Sequence, residues 1–330
     1  MFRKKYKYTF GVLSKDPTDI RDYQLANIQA LVKLPEEFDL RDKMSPVGRQ
    51  NYGSCTSWGA TAVKEYLDNK EYGKVINLSE KFVYHNTKKI SGLWNNQGDY
   101  VRNALKSICD YGAPLLEDYP DIREKDWKTY VKKEPSDEIY KKAEKYKGKT
   151  YWAVGKNLED FKQAIYQQKA PVNFSMRWYS SYNKIASDGK LALPSGGTGG
   201  HAMACVGWTK DKLWIRNSWG TNFGEIGYFY VPFDEFTKHD FWNAYVLLDL
   251  ENKPTNFEGW VANKYLKQSG GFKTGTKVMP IYNLNLRLNP TTGSQKLITL
   301  EKNKECEILD DEVVDANGYK WQHIRATIEE

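Results

Sequence analysis

The clearest pattern in the chain is a helical repeat that begins at Cys55. After this residue, apolar side chains recur every three or four positions and polar ones fall on the opposite side, as in a helix that faces a core. The apolar positions are Trp58, Gly59, Ala62, Val63, Tyr66 and Leu67, and the polar ones are Lys64, Glu65 and Asp68. A turn around Gly53 precedes the repeat. The pattern predicts a mostly buried helix with Cys55 in its first turn.

Three further helices are predicted in the first half of the chain. Ser79 is a suitable N-cap for a helix that continues to about Lys89. Apolar residues at helical spacing predict another helix over residues 99–111 and a short one over residues 158–165. Between these two, residues 122–149 are rich in Lys, Glu and Asp with few apolar anchors, which is typical of a solvated excursion.

Strands are predicted to follow the helices. An apolar run at residues 171–176 predicts a strand, and similar runs follow at 201–207, 213–217 and 227–231. A chain in which helices come first and strands come later is typical of the α+β class.

The C-terminal part of the chain is predicted to be a separate domain. Residues 251–276 begin with a polar, proline-containing stretch that is typical of a linker. Residues 277–330 contain short alternating runs separated by turns, which predict a small all-β barrel. A chain of 330 residues exceeds the usual size of one domain, so two domains are expected, each large enough to bury a core.

Composition excludes several classes of protein. The 11 Trp, 23 Tyr and 13 Phe indicate a globular chain, and no run of about 18 apolar residues is present to span a membrane. The net charge of +7 comes from scattered lysines without a basic block, so nucleic-acid binding is not expected. The four cysteines have no paired spacing, so neither a disulfide framework nor a metal site is predicted, and no cofactor is implied.

Cys55 is predicted to lie where its thiol can be reactive. A helix N-terminus carries a partial positive charge and unpaired N–H groups, and both stabilise a thiolate and lower the pKa of a thiol. An isolated cysteine in an apolar pattern is more often an inert core residue. Two downstream segments favour the reactive alternative, namely Gly-Gly-His-Ala-Met-Ala around His201 and Arg-Asn-Ser-Trp-Gly around Asn217.

These three segments resemble the cysteine, histidine and asparagine segments of papain-like cysteine peptidases, including bacterial and viral ones. His201 and Asn217 follow Cys55 in the family's order and near its separation of roughly 130–150 residues. The resemblance covers residues 34–250 and implies a papain-like α+β fold, with a cleft between a helical half and a β-rich half. It also implies an endopeptidase acting on proteins or peptides. In such an enzyme Cys55 and His201 form a thiolate–imidazolium pair, and Asn217 orients the imidazole.

The resemblance also assigns an oxyanion donor. Gln50 is the candidate, together with the Cys55 amide, although it lies five residues before the cysteine and the family's glutamine lies six before it. Two other positions depart from the family. Tyr52 stands where relatives have a cysteine that forms a disulfide, and Thr56 follows the nucleophile where papain has tryptophan.

Three more residues are assigned to the cleft by resemblance. Trp219 would shield the hydrogen bond between the histidine and the asparagine from water. Gly98 would bind the main chain of a substrate, although a glycine there also suits an ordinary turn. Gly200, directly before the histidine, would shape the specificity subsite without an acidic or bulky selector.

Residues 1–33 are predicted to be a leader, and they resemble the lead of many bacterial and viral members of the family. Two interpretations stay open, a propeptide that lies across the cleft and makes the chain a zymogen, or a strap packed on the domain. The basic first ten residues are not followed by the apolar segment of a secretory signal. Synthesis in the cytoplasm is therefore expected, with a phage origin or release by lysis as routes to an outer target.

The C-terminal segment resembles bacterial SH3-like repeats in residues 284–290 and 318–324. The resemblance implies a targeting domain. Because such domains in bacteria often bind cell-wall peptides, a cell-wall peptide hydrolase or phage lysin is an alternative function. A binding protein with an inactive peptidase fold is another alternative, and the presence of Cys55, His201 and Asn217 argues against it.

Overall fold

The structure is a computed structural model that describes residues 9–17, 19, 25, 31–122, 126–185, 188–249, 256–268, 271–294 and 296–327. The remaining parts of the predicted leader and linker lie outside the described residues. The chain divides into two compact units. The first consists of Met1–Tyr23 and Leu34–Asn252, and the second of Gln24–Lys33 and Lys253–Glu330.

The described α-helices all belong to the first unit. They are α1 (Cys55–Tyr72), α2 (Glu80–Ser91), α3 (Val101–Tyr111), α4 (Trp127–Lys132), α5 (Asp137–Ala143) and α6 (Leu158–Gln168). Ser79 caps α2 by accepting a hydrogen bond from the Phe82 N–H at 3.2 Å, and α1 ends at Gly73 in the left-handed conformation. The helices predicted from apolar spacing are confirmed by α1, α2, α3 and α6.

The strands of the first unit form one sheet. They are β1 (Phe38–Asp39), β2 (Thr150–Val154), β3 (Val172–Tyr179), β4 (Thr198–Thr209), β5 (Lys212–Arg216), β6 (Tyr228–Pro232) and β7 (Phe241–Leu248). Their order is β2-β7-β3-β4-β5-β6, and β1 pairs with β4. The predicted β-rich half and the α+β class are confirmed. The long strand β4, which carries His201, lies in the interior of the sheet between β3 and β5.

Helix α1 lies between the other helices and this sheet. It contacts α2 and α3 as well as β3 and β4, and every residue from Cys55 to Asn69 is buried. The polar residues of α1 therefore need partners inside the protein. Lys64, for example, donates hydrogen bonds to Asp68 at 2.7 Å and to Asp249 at 2.9 Å.

The polar segment over residues 122–149 contains more structure than predicted. Helices α4 and α5 lie in it, and the side chains of Tyr130 and Val131 are buried in a cluster with Tyr84. The buried apolar side chains of this segment are few and widely spaced and form no periodic pattern, so composition alone suggested a solvated excursion. The segment is instead attached to the first unit through these two side chains and through Ala143 and Tyr146, which are also buried.

The second unit is a sheet of short strands. They are β8 (Asn256–Ala262), β9 (Leu266–Gln268), β10 (Lys277–Pro280), β11 (Leu284–Arg287), β12 (Lys296–Leu300), β13 (Cys306–Ala316) and β14 (Tyr319–Thr327). Their order is β12-β11-β8-β14-β13-β10-β9, with antiparallel pairing throughout. A C-terminal β-rich region is thus present.

The predicted linker over residues 251–276 differs from the structure, because residues 256–268 contribute β8 and β9 to the second sheet. Strand β8 pairs with β11 on one side and with β14 on the other. Gly259 is needed there, since a Cβ at this position would lie 2.6 Å from the Arg287 oxygen of β11. A glycine in the middle of a strand weakens the alternating pattern from which a strand is predicted.

Among the residues that the structure describes, no helix combines the length and the apolar composition needed to cross a membrane.

Candidate active site

Cys55 is the first residue of α1, and its side chain is fully buried. The turn before it is closed by a hydrogen bond of 2.8 Å from the Ser54 N–H to the Tyr52 oxygen. The Ala202 N–H of β4 lies 3.4 Å from the Cys55 Sγ and donates to it. The thiol is therefore placed at a helix N-terminus and directly beside the strand residue that follows His201.

His201 is fully buried on β4 and is bonded to Asn217, which follows β5. The distance from the His201 Nε2 to the Asn217 Oδ1 is 2.8 Å, and the Ser218 N–H donates to the same oxygen at 2.7 Å. The indole of Trp219 stacks on the imidazole with ring centroids 4.4 Å apart and planes 18° apart. The other imidazole nitrogen, Nδ1, is buried and has no hydrogen-bond partner within the described part of the chain.

Gln50 is held at the same site by the loop after Asn217. Its main-chain N–H donates to the Ser218 oxygen at 2.8 Å, and the Ser218 hydroxyl donates to the Gln50 Oε1 at 2.5 Å. These contacts direct the side-chain amide of Gln50 inward. Its Nε2 is 3.0 Å from the main-chain oxygen of Thr9, a leader residue.

Residues 9–13 of the leader lie across the site. Phe10 places its ring edge-on to His201 and Trp219, with centroid distances of 6.2 Å and 5.7 Å. The Trp219 Nε1–H donates to the Thr9 oxygen at 3.3 Å, and the Val12 N–H donates to the Gly200 oxygen at 3.1 Å. In this structure, residues 9–13 therefore cover Cys55, His201 and Trp219.

The leader also pairs with the loop that contains Gly98. The Asp99 N–H donates to the Gly11 oxygen at 2.8 Å, and the Leu13 N–H donates to the Asp99 oxygen at 3.3 Å. A Cβ at Gly98 would lie 2.9 Å from the Gly11 oxygen. At Gly200, a Cβ would overlap the Val12 main chain. Both glycines predicted to line the cleft therefore leave room for a peptide main chain.

Burial determines the protonation of the pair in this covered state. It raises the pKa of the Cys55 thiol to about 11, against smaller lowering effects of the Ala202 and Gly11 amides. It lowers the pKa of His201 to about 4, against the opposing effect of the Asn217 hydrogen bond. The expected thiolate–imidazolium pair is therefore not the favoured state while the leader is in place. A neutral thiol and a neutral imidazole are favoured because no water solvates their charges.

Sequence reasoning missed the anchor of the leader, Asp16. Its carboxylate accepts hydrogen bonds from the Val101 N–H at 3.1 Å, the Arg102 N–H at 2.9 Å and the Tyr245 hydroxyl at 3.0 Å. A carboxylate at the first turn of α3 is favourable because that helix end is partly positive. The Asp-Pro pair at residues 16–17 was the available signal, and it has no distinctive spacing.

Sequence reasoning also missed a buried ion pair beneath the cleft. Lys88 of α2 and Asp99 are both fully buried, and the Lys88 Nζ lies 3.0 Å from the Asp99 Oδ2. A lysine at the end of a polar helical segment gives no sequence signal of burial, because lysines usually lie on the surface.

Three carboxylates of the first unit lie close enough together to hold a cation. Asp68, Glu71 and Asp249 place one oxygen each within 4.8 Å of the others. The ammonium group of Lys64 already contacts Asp68 and Asp249. We therefore assign no metal to this group.

Comparisons with known proteins agree with this geometry. A sequence model of the papain family of cysteine proteases matches residues 34–239. Chymomexicain from Jacaratia mexicana is 30% identical over 198 residues, which are 59% of this chain and 86% of that protein. A peptidase C1-like protein of Acanthamoeba polyphaga mimivirus is 26% identical over 267 residues, covering 73% of this chain and 80% of that protein.

A solved structure gives the same result. The crystal structure of xylellain, a cysteine protease from Xylella fastidiosa, aligns with a TM-score of 0.61 and 27% identity, covering 76% of this chain and 99% of that one. The chain belongs to the papain family of cysteine proteases. It is therefore a hydrolase that acts on proteins or peptides.

Proposed function

We propose that the chain is a thiol endopeptidase that uses Cys55 as nucleophile, His201 as general base and acid, and Asn217 as the residue that orients His201. The observation that carries the proposal is the buried hydrogen bond between the His201 Nε2 and the Asn217 Oδ1. This bond occupies one imidazole nitrogen and leaves Nδ1 for proton exchange with the thiol of Cys55. That thiol lies beside the next residue, Ala202.

The chemistry follows from these positions once a peptide replaces the leader. Nδ1 of His201 takes the thiol proton, and the Cys55 sulfur attacks the carbonyl carbon of the scissile bond. The Cys55 N–H and the Gln50 amide stabilise the resulting oxyanion, each contributing about 3 kcal/mol. His201 then protonates the leaving amine. Water attacks the acyl-enzyme in a second round that uses the same groups and releases the thiol.

We further propose that the leader keeps the enzyme latent. The Gly11 amide lowers the pKa of the Cys55 thiol by hydrogen bonding, against the larger raising effect of burial, and the Thr9 oxygen accepts a hydrogen bond from the Gln50 amide. To attack a peptide bond, the Cys55 sulfur needs a carbonyl carbon at about 3–3.5 Å. The leader presents an N–H group to the sulfur instead, and an N–H group cannot be attacked. The leader therefore occupies the cleft as an inhibitor, and its displacement or cleavage would release activity.

The test uses Gly11→Ala in the full chain as a form with the leader displaced, because a Cβ at Gly11 would overlap the Gly53 main chain. This chain is expected to hydrolyse denatured casein, and the added change Cys55→Ala should abolish hydrolysis. Adding Cys109→Ala is the matched control and should leave hydrolysis intact, since Cys109 lies on α3 outside the site. Equal hydrolysis with Cys55→Ala would contradict the proposal. N-terminal sequencing of the active wild-type chain tells cleavage of the leader from mere displacement.

We propose that the second unit is an SH3-like targeting module. Support comes from its antiparallel strands and from a partly exposed group of aromatic rings, Tyr265, Tyr282 and Tyr319. Tyr282 is 63% exposed and its ring lies 6.5 Å from that of Tyr265, centroid to centroid, so this group of rings is accessible to a ligand. A cell-wall peptide is the alternative substrate that such targeting would favour. Co-sedimentation of the full chain with purified cell walls, and its loss in Tyr282→Ala, tests this alternative. No binding by the wild-type chain would count against it.

A further inference from the structure

The Gly98–Asp99 segment forms the edge of the cleft that binds the leader. Among the described residues of the leader, its hydrogen bonds are made by main-chain groups on both sides. The Asp99 N–H and oxygen bond to the Gly11 oxygen and the Leu13 N–H, and Val12 and Asp99 form a bridge in parallel orientation. Bonds of this kind do not depend on sequence, so any extended peptide could use the same edge. How well the edge binds depends on how firmly these two peptide groups are held.

The carboxylate of Asp99 is held from two helices. Its Oδ1 accepts hydrogen bonds from the Tyr100 N–H and the Asn103 amide, both at 2.8 Å, at the start of α3. Its Oδ2 accepts hydrogen bonds from the Lys88 ammonium at 3.0 Å and the Ser91 hydroxyl at 2.6 Å, at the end of α2. The Asp99 side chain therefore connects both helices to the edge of the cleft.

Lys88 holds the neighbouring peptide group as well. Its Nζ donates to the Gly98 oxygen, so one ammonium group binds both the main chain and the side chain of this edge. Burial lowers the pKa of Lys88, against the raising effects of Asp99 and, more weakly, of an ionised Cys55, so the ammonium group is near enough to the nucleophile to sense its charge. The pair thus lies beneath both the peptide-binding edge and the nucleophile.

Stability alone does not explain this arrangement. Lys88 and Asp99 are both 0% exposed, and removing two charges from water costs about as much as their attraction returns. An apolar pair of similar volume would hold the two helices at lower cost. What an apolar pair cannot do is hydrogen-bond the Gly98 oxygen and fix the Asp99 peptide groups.

We propose that Lys88 and Asp99 are positioning residues that hold the Gly98–Asp99 main chain as the peptide-binding edge of the cleft, for the leader and for substrates alike. The substrate part rests on the proposed endopeptidase function. The leader part does not, because it concerns only how the leader covers Cys55.

The first test measures iodoacetamide labelling of Cys55 in the full chain by mass spectrometry. Lys88→Met removes the ammonium group at nearly constant volume, and labelling should become about tenfold faster because the leader opens more often. Lys64→Met is the matched control. Lys64 is equally buried and ion-paired, but it lies nine residues, or about 13 Å, along α1 from Cys55. Both variants should unfold at lower temperature, and only Lys88→Met should label faster. Equal labelling rates in the two variants would overturn the proposal.

The second test separates positioning from general destabilisation. In the Gly11→Ala chain, Lys88→Met should raise the KM for a peptide substrate several-fold and leave kcat nearly unchanged, whereas Lys64→Met should change neither. A lower kcat at constant KM in Lys88→Met would indicate only a loss of folded enzyme and would overturn the substrate part. Absence of hydrolysis in the Gly11→Ala chain itself would contradict the proposed function, and the labelling comparison would still decide the leader part.

Discussion

The side-chain amide of Gln50 donates a hydrogen bond of 3.0 Å to the main-chain oxygen of Thr9. The Gln50 amide was predicted to stabilise the oxyanion of a substrate, and in this structure the leader takes that amide. The same group would thus serve two opposed purposes, catalysis when a substrate is bound and inhibition when the leader is bound. A change at Gln50 is therefore expected to move two measurements in opposite directions.

Gln50→Ala should speed the labelling of Cys55 and slow hydrolysis. Labelling of the full chain rises because the leader loses its bond from Gln50. Hydrolysis in the Gly11→Ala chain falls about 100- to 1000-fold in kcat, the usual cost of losing one oxyanion donor. Iodoacetamide kinetics and casein hydrolysis give the two values. If both rise, Gln50 contributes only to inhibition. If both stay at the wild-type value, the assignment of Gln50 is wrong.

Phe10 is expected to contribute most of the apolar contact between the leader and the site. Phe10→Ala removes the ring that contacts His201 and Trp219, so Cys55 should be labelled at least about tenfold faster in the full chain. Ser14→Ala is the matched control within the leader, because the Ser14 side chain is exposed and its hydrogen bond within the described part of the chain is to the adjacent Lys15 oxygen. Similar rates for the two variants would mean that the ring does not hold the leader in place.

The covering of the site is expected to weaken in acid. In a Cys55→Ala chain, whose open state forms no thiolate–imidazolium pair, the pKa of His201 is about 4 under the leader and near the ordinary 6.5 when solvated, so the covered state binds fewer protons than the open one. The neutral imidazole of His201 therefore stabilises the covered state fully above pH 6.5, and this stabilisation is lost as pH falls towards 4. Hydrogen exchange of a peptide that spans residues 9–17 should therefore speed up, relative to the intrinsic rate, over this window. His201→Gln should remove this change.

Asp16 is expected to oppose this acid opening. Burial raises the pKa of Asp16 above its ordinary value of 3.8, so the covered state holds this proton more tightly than the open state does. Protonation of Asp16 therefore adds to the stability of the covered state at low pH, and this added stability is lost as pH rises through the raised pKa of Asp16. Asp16→Asn removes this titration, and exchange of residues 9–17 should then depend more steeply on pH. An unchanged slope would mean that Asp16 does not titrate on opening.

The helices and the chemistry of the site could be predicted from sequence because their signals are local. The helix after Cys55 has a clear apolar repeat, and the segments of His201 and Asn217 are short and distinctive. The hydrogen bond between His201 and Asn217 depends on the pairing of β4 with β5; both were predicted as strands, and their pairing is a finding of the structure. Local patterns therefore predicted the elements on which these residues lie, and the structure supplies their geometry.

The contacts that a pattern could not predict join distant segments. The leader reaches the cleft through main-chain bonds, such as that from Asp99 to Gly11, and main-chain bonds leave no mark on residue type. Lys88 and Asp99 are charged, so sequence reasoning assigns them to the surface. The ionised pair of Cys55 and His201 was predicted for an open site, whereas burial under the leader raises the pKa of Cys55 and lowers that of His201.

The segment over residues 122–149 offers a last check on how the helical half is held together. Val131 is fully buried in the cluster with Tyr84 and Tyr130, whereas the neighbouring Lys132 is exposed. Val131→Ala removes two buried methyl groups and should lower the free energy of unfolding by about 2 kcal/mol. Lys132→Ala should change it by less than about 0.5 kcal/mol. Urea denaturation of the two variants gives both values. An equal, small effect would mean that the segment is a solvated excursion after all, as its composition suggested.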